Sequence, residues 1–194
     1  MISKSFTRVN DLSISRTHER KCQTLYKGTN PSALKSRDMI ISAMFALLKT
    51  TPYTSINVKL LTDEAKVSRQ TFYALFANRD EVIQCRLEAV FSDYQAALAK
   101  LPTTMHVLVT LFFQFYETHA DLFNCLLDNH LENLLTVNAK RCMQALNLAN
   151  KSIYASDFIA AGLTQILSDW HQRQDIDLQT LVALTESLLN PAAV

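Results

Sequence analysis

Arg69, Gln70 and Thr71 stand side by side, and all three side chains can read the edges of DNA bases. A guanidinium can donate two hydrogen bonds to guanine, a carboxamide can pair with adenine, and a threonine methyl can contact the methyl of thymine. Tyr73 follows closely, and its hydroxyl is suited to a phosphate oxygen. This chemistry requires that the four side chains lie on the exposed side of one short structural element.

The surrounding residues predict that this element is the second helix of a helix-turn-helix. Asn57 and Ser68 are good N-caps, each preceded by an apolar residue, Ile56 or Val67, that can pack against the following helix. The first helix is expected at about residues 58–65. Only the short sequence Ala-Lys-Val joins it to the second, which fits the tight turn of a helix-turn-helix.

Helix N-termini near the motif can bind backbone phosphates, because their free N–H groups and positive dipole ends attract anions. Asn57 stands at one such terminus. Arg79 stands at another, in a helix that Asn78 caps and that carries Glu81 at the capping-box position. The predicted DNA-binding residues are Asn57, Lys59, Lys66, Ser68, Arg69, Gln70, Thr71, Tyr73 and Arg79.

The charge distribution favours the same partner. The chain has a net charge of only +1, but residues 1–100 carry 15 Lys/Arg against 9 Asp/Glu, and residues 101–194 carry 4 against 9. A basic first half and an acidic second half indicate that the first half meets a polyanion such as double-stranded DNA. A random imbalance of surface charge is the alternative.

Composition and periodicity predict an all-α protein of about nine helices. Only two glycines are present, which excludes glycine-rich phosphate loops and dinucleotide fingerprints and disfavours tight β-hairpins. The four prolines fall between periodic segments, where they act as helix boundaries. We divide the chain into a basic N-terminal extension at 1–31, a helix-turn-helix DNA-binding domain at 32–85, and a regulatory and dimerisation domain at 86–194.

The segment INVKLLTDEAKVSRQTFYALFANRDEVI resembles the N-terminal domain of the tetracycline-repressor (TetR) family of bacterial regulators. The resemblance covers about residues 33–85, and its core is a Val-Ser-Arg-x-Thr-hydrophobic-Tyr run followed by a Phe and a capped basic-acidic helix start. Three positions depart from the usual pattern. Asn57 replaces the more common Thr, Arg79 replaces Lys, and Lys66 replaces Gly, which costs about 1 kcal/mol if its φ is positive.

The resemblance implies a homodimeric regulator, most often a repressor, that binds a palindromic operator and is released by a small-molecule effector. Helices in the second domain are expected to surround the effector, although plain core packing is the alternative for their aromatic residues. The residues expected at the effector are Phe112, Phe115, Tyr116, Phe123, Leu127, His130 and Asn133. The last two helices are similar to those that usually form the dimer, with Ile159, Leu163, Ile166, Trp170, Leu181 and Leu188 as the expected interface.

Two rival functions stay open. An enzyme is disfavoured because no H-E-x-x-H, G-x-S-x-G or paired-cysteine motif occurs. His119, Cys125 and His130 are the best metal-ligand set, but their spacing is poor, so we expect no metal and no cofactor. The second rival is a co-activator or adaptor of the same fold that acts mainly through a protein partner.

The sequence also predicts a cytoplasmic protein that does not enter a membrane. No run approaches eighteen apolar residues, and the first thirty residues lack an apolar core of signal-peptide length.

Overall fold

A computed structural model describes residues 28–102, 104–145 and 153–189, and within these ranges it contains nine α-helices and no strand. The helices are α1 (Pro31–Leu48), α2 (Val58–Ala65), α3 (Arg69–Leu75), α4 (Arg79–Leu98), α5 (Met105–Thr118), α6 (Ala120–Asp128), α7 (Glu132–Ala145), α8 (Ile153–Arg173) and α9 (Leu178–Leu189), with a short 3₁₀ turn at Tyr53–Ser55. The all-α prediction is confirmed. Most of the predicted basic extension, residues 1–27, lies outside the described residues.

None of the helices in the described ranges is both long enough and apolar enough to cross a membrane.

The first three helices form a small head around a shared apolar core. α1 contributes Ile40 and Met44, α2 contributes Leu61, and α3 contributes Phe72 and Leu75, all of them buried. These residues recur at helical spacing, so each helix presents one apolar side to its neighbours. The head therefore holds α2 and α3 in a fixed relation, as a helix-turn-helix requires.

The three predicted N-caps are confirmed. Asn57 Oδ1 accepts the Leu60 N–H at 2.9 Å, Ser68 Oγ accepts the Thr71 N–H at 3.0 Å, and Asn78 Oδ1 accepts the Glu81 N–H at 2.9 Å. Glu81 does return a hydrogen bond, but it accepts from the backbone N–H of Ala77, one residue before the cap. The helix boundaries around the motif therefore follow from local hydrogen bonding.

α4 extends from the head, where it packs on α1, into the predicted second domain, where it packs on α5 and α7. α7 and α8 form an antiparallel pair, joined by the hydroxyls of Thr136 and Thr164 at 2.9 Å. α9 packs on α5, and α4 packs on α7. Tyr94 of α4 is buried and donates to the Leu108 carbonyl of α5 at 3.0 Å, which fixes the two helices against each other.

Lys66 has a left-handed backbone, with φ 55° and ψ 40°, and ends α2. Its backbone places the Val67 N–H on the Thr62 carbonyl at 3.1 Å, which closes the tight turn before α3. A residue with a Cβ is strained in this conformation, whereas glycine is not. The sequence departure at Lys66 therefore falls where the turn demands positive φ.

We expect Lys66→Gly to stabilise the protein by about 1 kcal/mol, because glycine removes the left-handed strain. Urea unfolding followed by circular dichroism measures the change. Lys66→Ala is the matched control, since it removes the charge but keeps the Cβ. Equal stability of the glycine and alanine variants would show that the turn is not strained.

Candidate nucleic-acid interface

α3 presents the predicted reading residues on one exposed side. Phe72 and Leu75 are buried on its inner side, whereas Arg69, Gln70 and Tyr73 are exposed, Tyr73 to 56%. The Tyr73 ring stands edge-on to the Phe72 ring, with centroids 5.3 Å apart. Packing of Phe72 therefore helps to orient Tyr73 as well as α3 itself.

Ser68 and Thr71 hold the first turn of α3 together. The Ser68 hydroxyl accepts the Thr71 N–H and also lies 2.9 Å from the Thr71 hydroxyl. Thr71 is half-buried, so it is less accessible than its neighbours on either side of the exposed face. Ser68 consequently serves first to position α3, with its hydroxyl committed to the cap.

Two lysines extend the exposed surface around the motif. Lys59 lies in the first turn of α2, and Lys66 lies in the turn between α2 and α3. Asn57 is also exposed, and its cap uses only the side-chain oxygen. These residues and the outer side of α3 belong to the same small head.

The Arg79 side chain is partly engaged within the head, by contacts with Tyr53. One guanidinium nitrogen donates to the Tyr53 carbonyl at 3.1 Å, and the guanidinium carbon lies 4.7 Å from the centroid of the Tyr53 ring. A guanidinium has five N–H donors, so this contact does not use all of them. Arg79 thus joins the start of α4 to the Tyr53 turn, a role that the sequence did not indicate.

Tyr53 is a site residue that sequence reasoning missed. Its hydroxyl donates to Asp80 Oδ1, so the first two residues of α4 both contact it. Burial, followed by the hydrogen bond to Asp80, raises the pKa of the Tyr53 hydroxyl, so the group stays protonated and keeps donating at neutral pH. No periodicity links residue 53 to residue 79, and only the folded head brings them together.

Comparison with solved structures identifies the architecture. No protein-family model matches the sequence, and no curated protein matches it. Lin0861 from Listeria innocua is 17% identical over 84% of this chain and 95% of that chain, with a TM-score of 0.69. The multidrug binding protein EbrR, solved with imidazole, is 18% identical over 80% and 93%, with a TM-score of 0.55. The TetR family repressor AlkX from Dietzia sp. strain DQ12-45-1b is 18% identical over 79% and 92%, with a TM-score of 0.51.

This chain has the TetR fold. At 17–18% identity the likeness concerns architecture. It confirms the fold that the resemblance implied, from the N-terminal head to the last two helices.

Within this TetR fold, the residues predicted for the dimer interface separate into two groups. Ile159, Leu163 and Leu181 lie inside the core of the chain itself, at 5%, 0% and 3% exposure. A second copy cannot touch them without opening that core. Ile166 and Trp170 are half-buried, and only Leu188 is well exposed, at 61%.

α8 and α9 also carry exposed apolar side chains, which are Ile153, Tyr154 and Phe158 on α8 and Leu184 and Leu188 on α9. We call these side chains together the outer apolar surface. α8 has apolar residues on two sides, one packed against α7 and one exposed. The apolar residues that recur regularly in the sequence of α8, such as Ile159 and Leu163, lie on the packed side. Their spacing therefore gives no information about the exposed side.

The aromatic residues predicted at the effector are tightly packed in the second domain. Phe112, Phe115, Tyr116, Phe123 and Leu127 are all buried. The ring centroids of Phe115 and Tyr94 lie 5.2 Å apart, and those of Tyr116 and Phe123 lie 5.9 Å apart, both edge-to-face. These edge-to-face contacts are typical of aromatic side chains in a protein core.

The two polar residues predicted at the effector site lie away from the buried aromatic residues. His130 and Asn133 are exposed, on either side of the start of α7. His130 has a left-handed backbone, with φ 56°, in the turn after α6. Because both side chains lie at the surface, the structure does not bring them together with the buried rings.

The possible metal ligands are also apart. In residues 28–102, 104–145 and 153–189, no three His, Cys, Asp or Glu side chains cluster closely enough to hold a metal ion. Burial lowers the pKa of His119 and raises the pKa of the Cys125 thiol, so both side chains are neutral at pH 7.

The stability of two leucine variants tests which predicted dimer-interface residue lies in the core and which lies at the surface. We expect Leu163→Glu to unfold the chain or destabilise it by more than about 3 kcal/mol, because an unpaired carboxylate enters the core. Leu188→Glu should change the stability of the protomer by less than about 0.5 kcal/mol, since that side chain is largely exposed. Thermal unfolding at low protein concentration compares them, and similar losses for both variants would contradict the assigned burial.

Proposed function

We propose that this protein is a DNA-binding transcriptional regulator, most simply a cytoplasmic repressor, that binds a palindromic operator as a homodimer. The exposed Arg69, Gln70 and Tyr73 on a short capped helix carry the proposal. The first turn of a recognition helix is where base contacts are made, and these side chains match that chemistry. A TetR fold around them adds support, because AlkX is described as a repressor of that family.

The head offers two kinds of contact. Arg69 and Gln70 are suited to base edges in the major groove, which carry the sequence information. Tyr73, Lys59 and Lys66 are suited to phosphates, which position the helix but do not discriminate sequences. Arg79 serves the second role through the N–H groups that Tyr53 does not take, while its contact with Tyr53 keeps the start of α4 in place.

Dimerisation through the outer apolar surface brings in a second protomer, whose head binds the other half-site. Phe158 and Tyr154 are 70% and 82% exposed, which is unusual for large apolar side chains. A two-fold axis through α8 and α9 would bury them and would match a palindrome with two equal half-sites. The proposed interface therefore contains the exposed Phe158 and Tyr154 in place of the buried Ile159 and Leu163.

Release by a small apolar molecule completes the proposal. EbrR is described as a multidrug binding protein, and the second domain of this chain contains a large set of buried apolar side chains. The rings of Phe112 and Phe115 pack on Tyr94 and the ring of Tyr116 packs on Trp170, so an effector that enters between these side chains must displace some of them. By linkage, an effector that weakens DNA binding is itself weakened by DNA to the same degree.

The reading role is tested with Gln70→Ala. We expect a loss of about 1–3 kcal/mol on the preferred duplex and a relaxed preference at one base pair of each half-site. Fluorescence anisotropy titrations on preferred and scrambled duplexes measure both effects.

Tyr73→Phe is the matched control, because it removes only a hydroxyl from the same exposed side. It should weaken preferred and scrambled duplexes by similar factors, since phosphates carry no sequence information. If Gln70→Ala weakens both duplexes equally while Tyr73→Phe weakens only the preferred one, the assigned roles are reversed.

The dimer is tested with Phe158→Asp. We expect this variant to be monomeric, because a carboxylate would be buried unpaired at the centre of the proposed contact. Light scattering gives the mass, and Gln179→Asp, at an exposed position of α9 on the side opposite Leu188, is the control. A dimer that survives Phe158→Asp would place the interface elsewhere.

A further inference from the structure

Asn129 ends α6 and makes three hydrogen bonds with its side chain, two of them to the head. Its Oδ1 atom accepts the Tyr53 N–H at 3.0 Å. Its Nδ2 group donates to the Leu48 carbonyl at 3.1 Å and to the Cys125 carbonyl at 2.9 Å. Both N–H bonds of the carboxamide are thereby used, one inside α6 and one across the domain boundary.

The sequence of the head explains why Leu48 needs an outside donor. Leu48 is the last residue of α1, so its carbonyl has no partner within the helix. The residue four positions later, which would donate if the helix continued, is Pro52 and has no N–H. Asn129 supplies the missing donor from the second domain.

Tyr53 carries the connection onward to α4. Its N–H binds Asn129, its carbonyl and ring bind Arg79, and its hydroxyl binds Asp80. The end of α1, the Tyr53–Ser55 turn and the start of α4 are therefore tied to one residue of α6. We call these contacts the Asn129 joint.

α1 and α6 also pack on each other near the Asn129 joint, where Leu48 and Cys125 are buried. A cleft of about 670 Å³ separates α6 from the connection between α1 and α2, and Asn129 lies in its wall. Polar residues such as Asp121, Asn124 and Asp128 line the α6 side of this cleft. The hydrogen bonds from Asn129 therefore cross between α6 and the head beside this cleft.

We propose that Asn129 is the positioning residue that sets the orientation of the DNA-reading head on the second domain. The inference rests on the proposed function, because its consequence is the spacing between two heads on DNA. A dimer with a fixed head angle prefers one separation of half-sites. Loss of the Asn129 joint leaves α4 as the main connection, so the head can turn and the preference for one separation weakens.

The test compares operators whose half-sites are moved apart or together by one base pair. We expect Asn129→Ala to lose about tenfold in affinity at the preferred spacing, as two cross-boundary hydrogen bonds disappear, and to lose much less at the altered spacings. Its preference among bases within a half-site should not change. Equal losses at every spacing, or no loss, would overturn the proposal.

Asn124→Ala is the matched control, because Asn124 lies on α6 in the same cleft but binds Tyr116 rather than the head. It should retain the spacing preference. Asn129→Asp is a second variant, which keeps the acceptor for Tyr53 and removes both N–H donors. It should lose the preference as well, and it replaces Asn129→Ala if that variant fails to fold.

Hydrogen exchange of the Tyr53 amide tests the Asn129 joint without DNA, because this N–H donates to Asn129 Oδ1. Asn129→Ala should accelerate its exchange about tenfold, with Asn124→Ala unchanged. If the unmodified protein binds no duplex at any spacing, the proposed function fails while this measurement still decides the joint. Unchanged exchange at Tyr53 would overturn the joint, and acceleration confined to residues 49–57 and the start of α4 would support it.

Discussion

Burial of Phe72 is the interaction on which the proposed DNA-reading surface depends. Its ring is inaccessible to solvent and lies between α3 and the rest of the head. Because α3 has only seven residues, it cannot be stable alone and takes its orientation from this packing. Once Phe72 and Leu75 face inward, helical geometry turns Arg69, Gln70 and Tyr73 outward. The chemistry of the site is therefore a consequence of core packing under it.

The head could be predicted from sequence because its signals are local. Asn57, Ser68 and Asn78 each cap a helix through a residue three positions later, and such bonds depend on short spacing alone. The left-handed backbone of Lys66 was anticipated through the resemblance, because the TetR family usually has Gly at that position. Where the local rules agree with one another, the fold follows them closely.

Contacts between distant residues could not be predicted in the same way. Tyr53 meets Arg79 and Asp80, and Asn129 meets Leu48, across 26 to 81 positions of sequence. The two apolar sides of α8 could not be told apart for a related reason. A helix with two apolar sides has no pattern that says which side meets its own chain, so Ile159, predicted for the dimer interface, lies in the core, whereas Phe158 is exposed. Pro52 was the one available clue to the Asn129 joint, because it leaves a helix end without its usual donor.

In vitro selection from a pool of random DNA duplexes tests the central claim most directly. A dimer that reads DNA with α3 should enrich one palindromic sequence with two equal half-sites at a single separation. The same selection with a variant lacking the Arg69 and Gln70 side chains should enrich nothing. A protein that enriches no sequence from the pool, or that enriches the same sequence without those two side chains, would contradict the assignment of α3 as the reading helix.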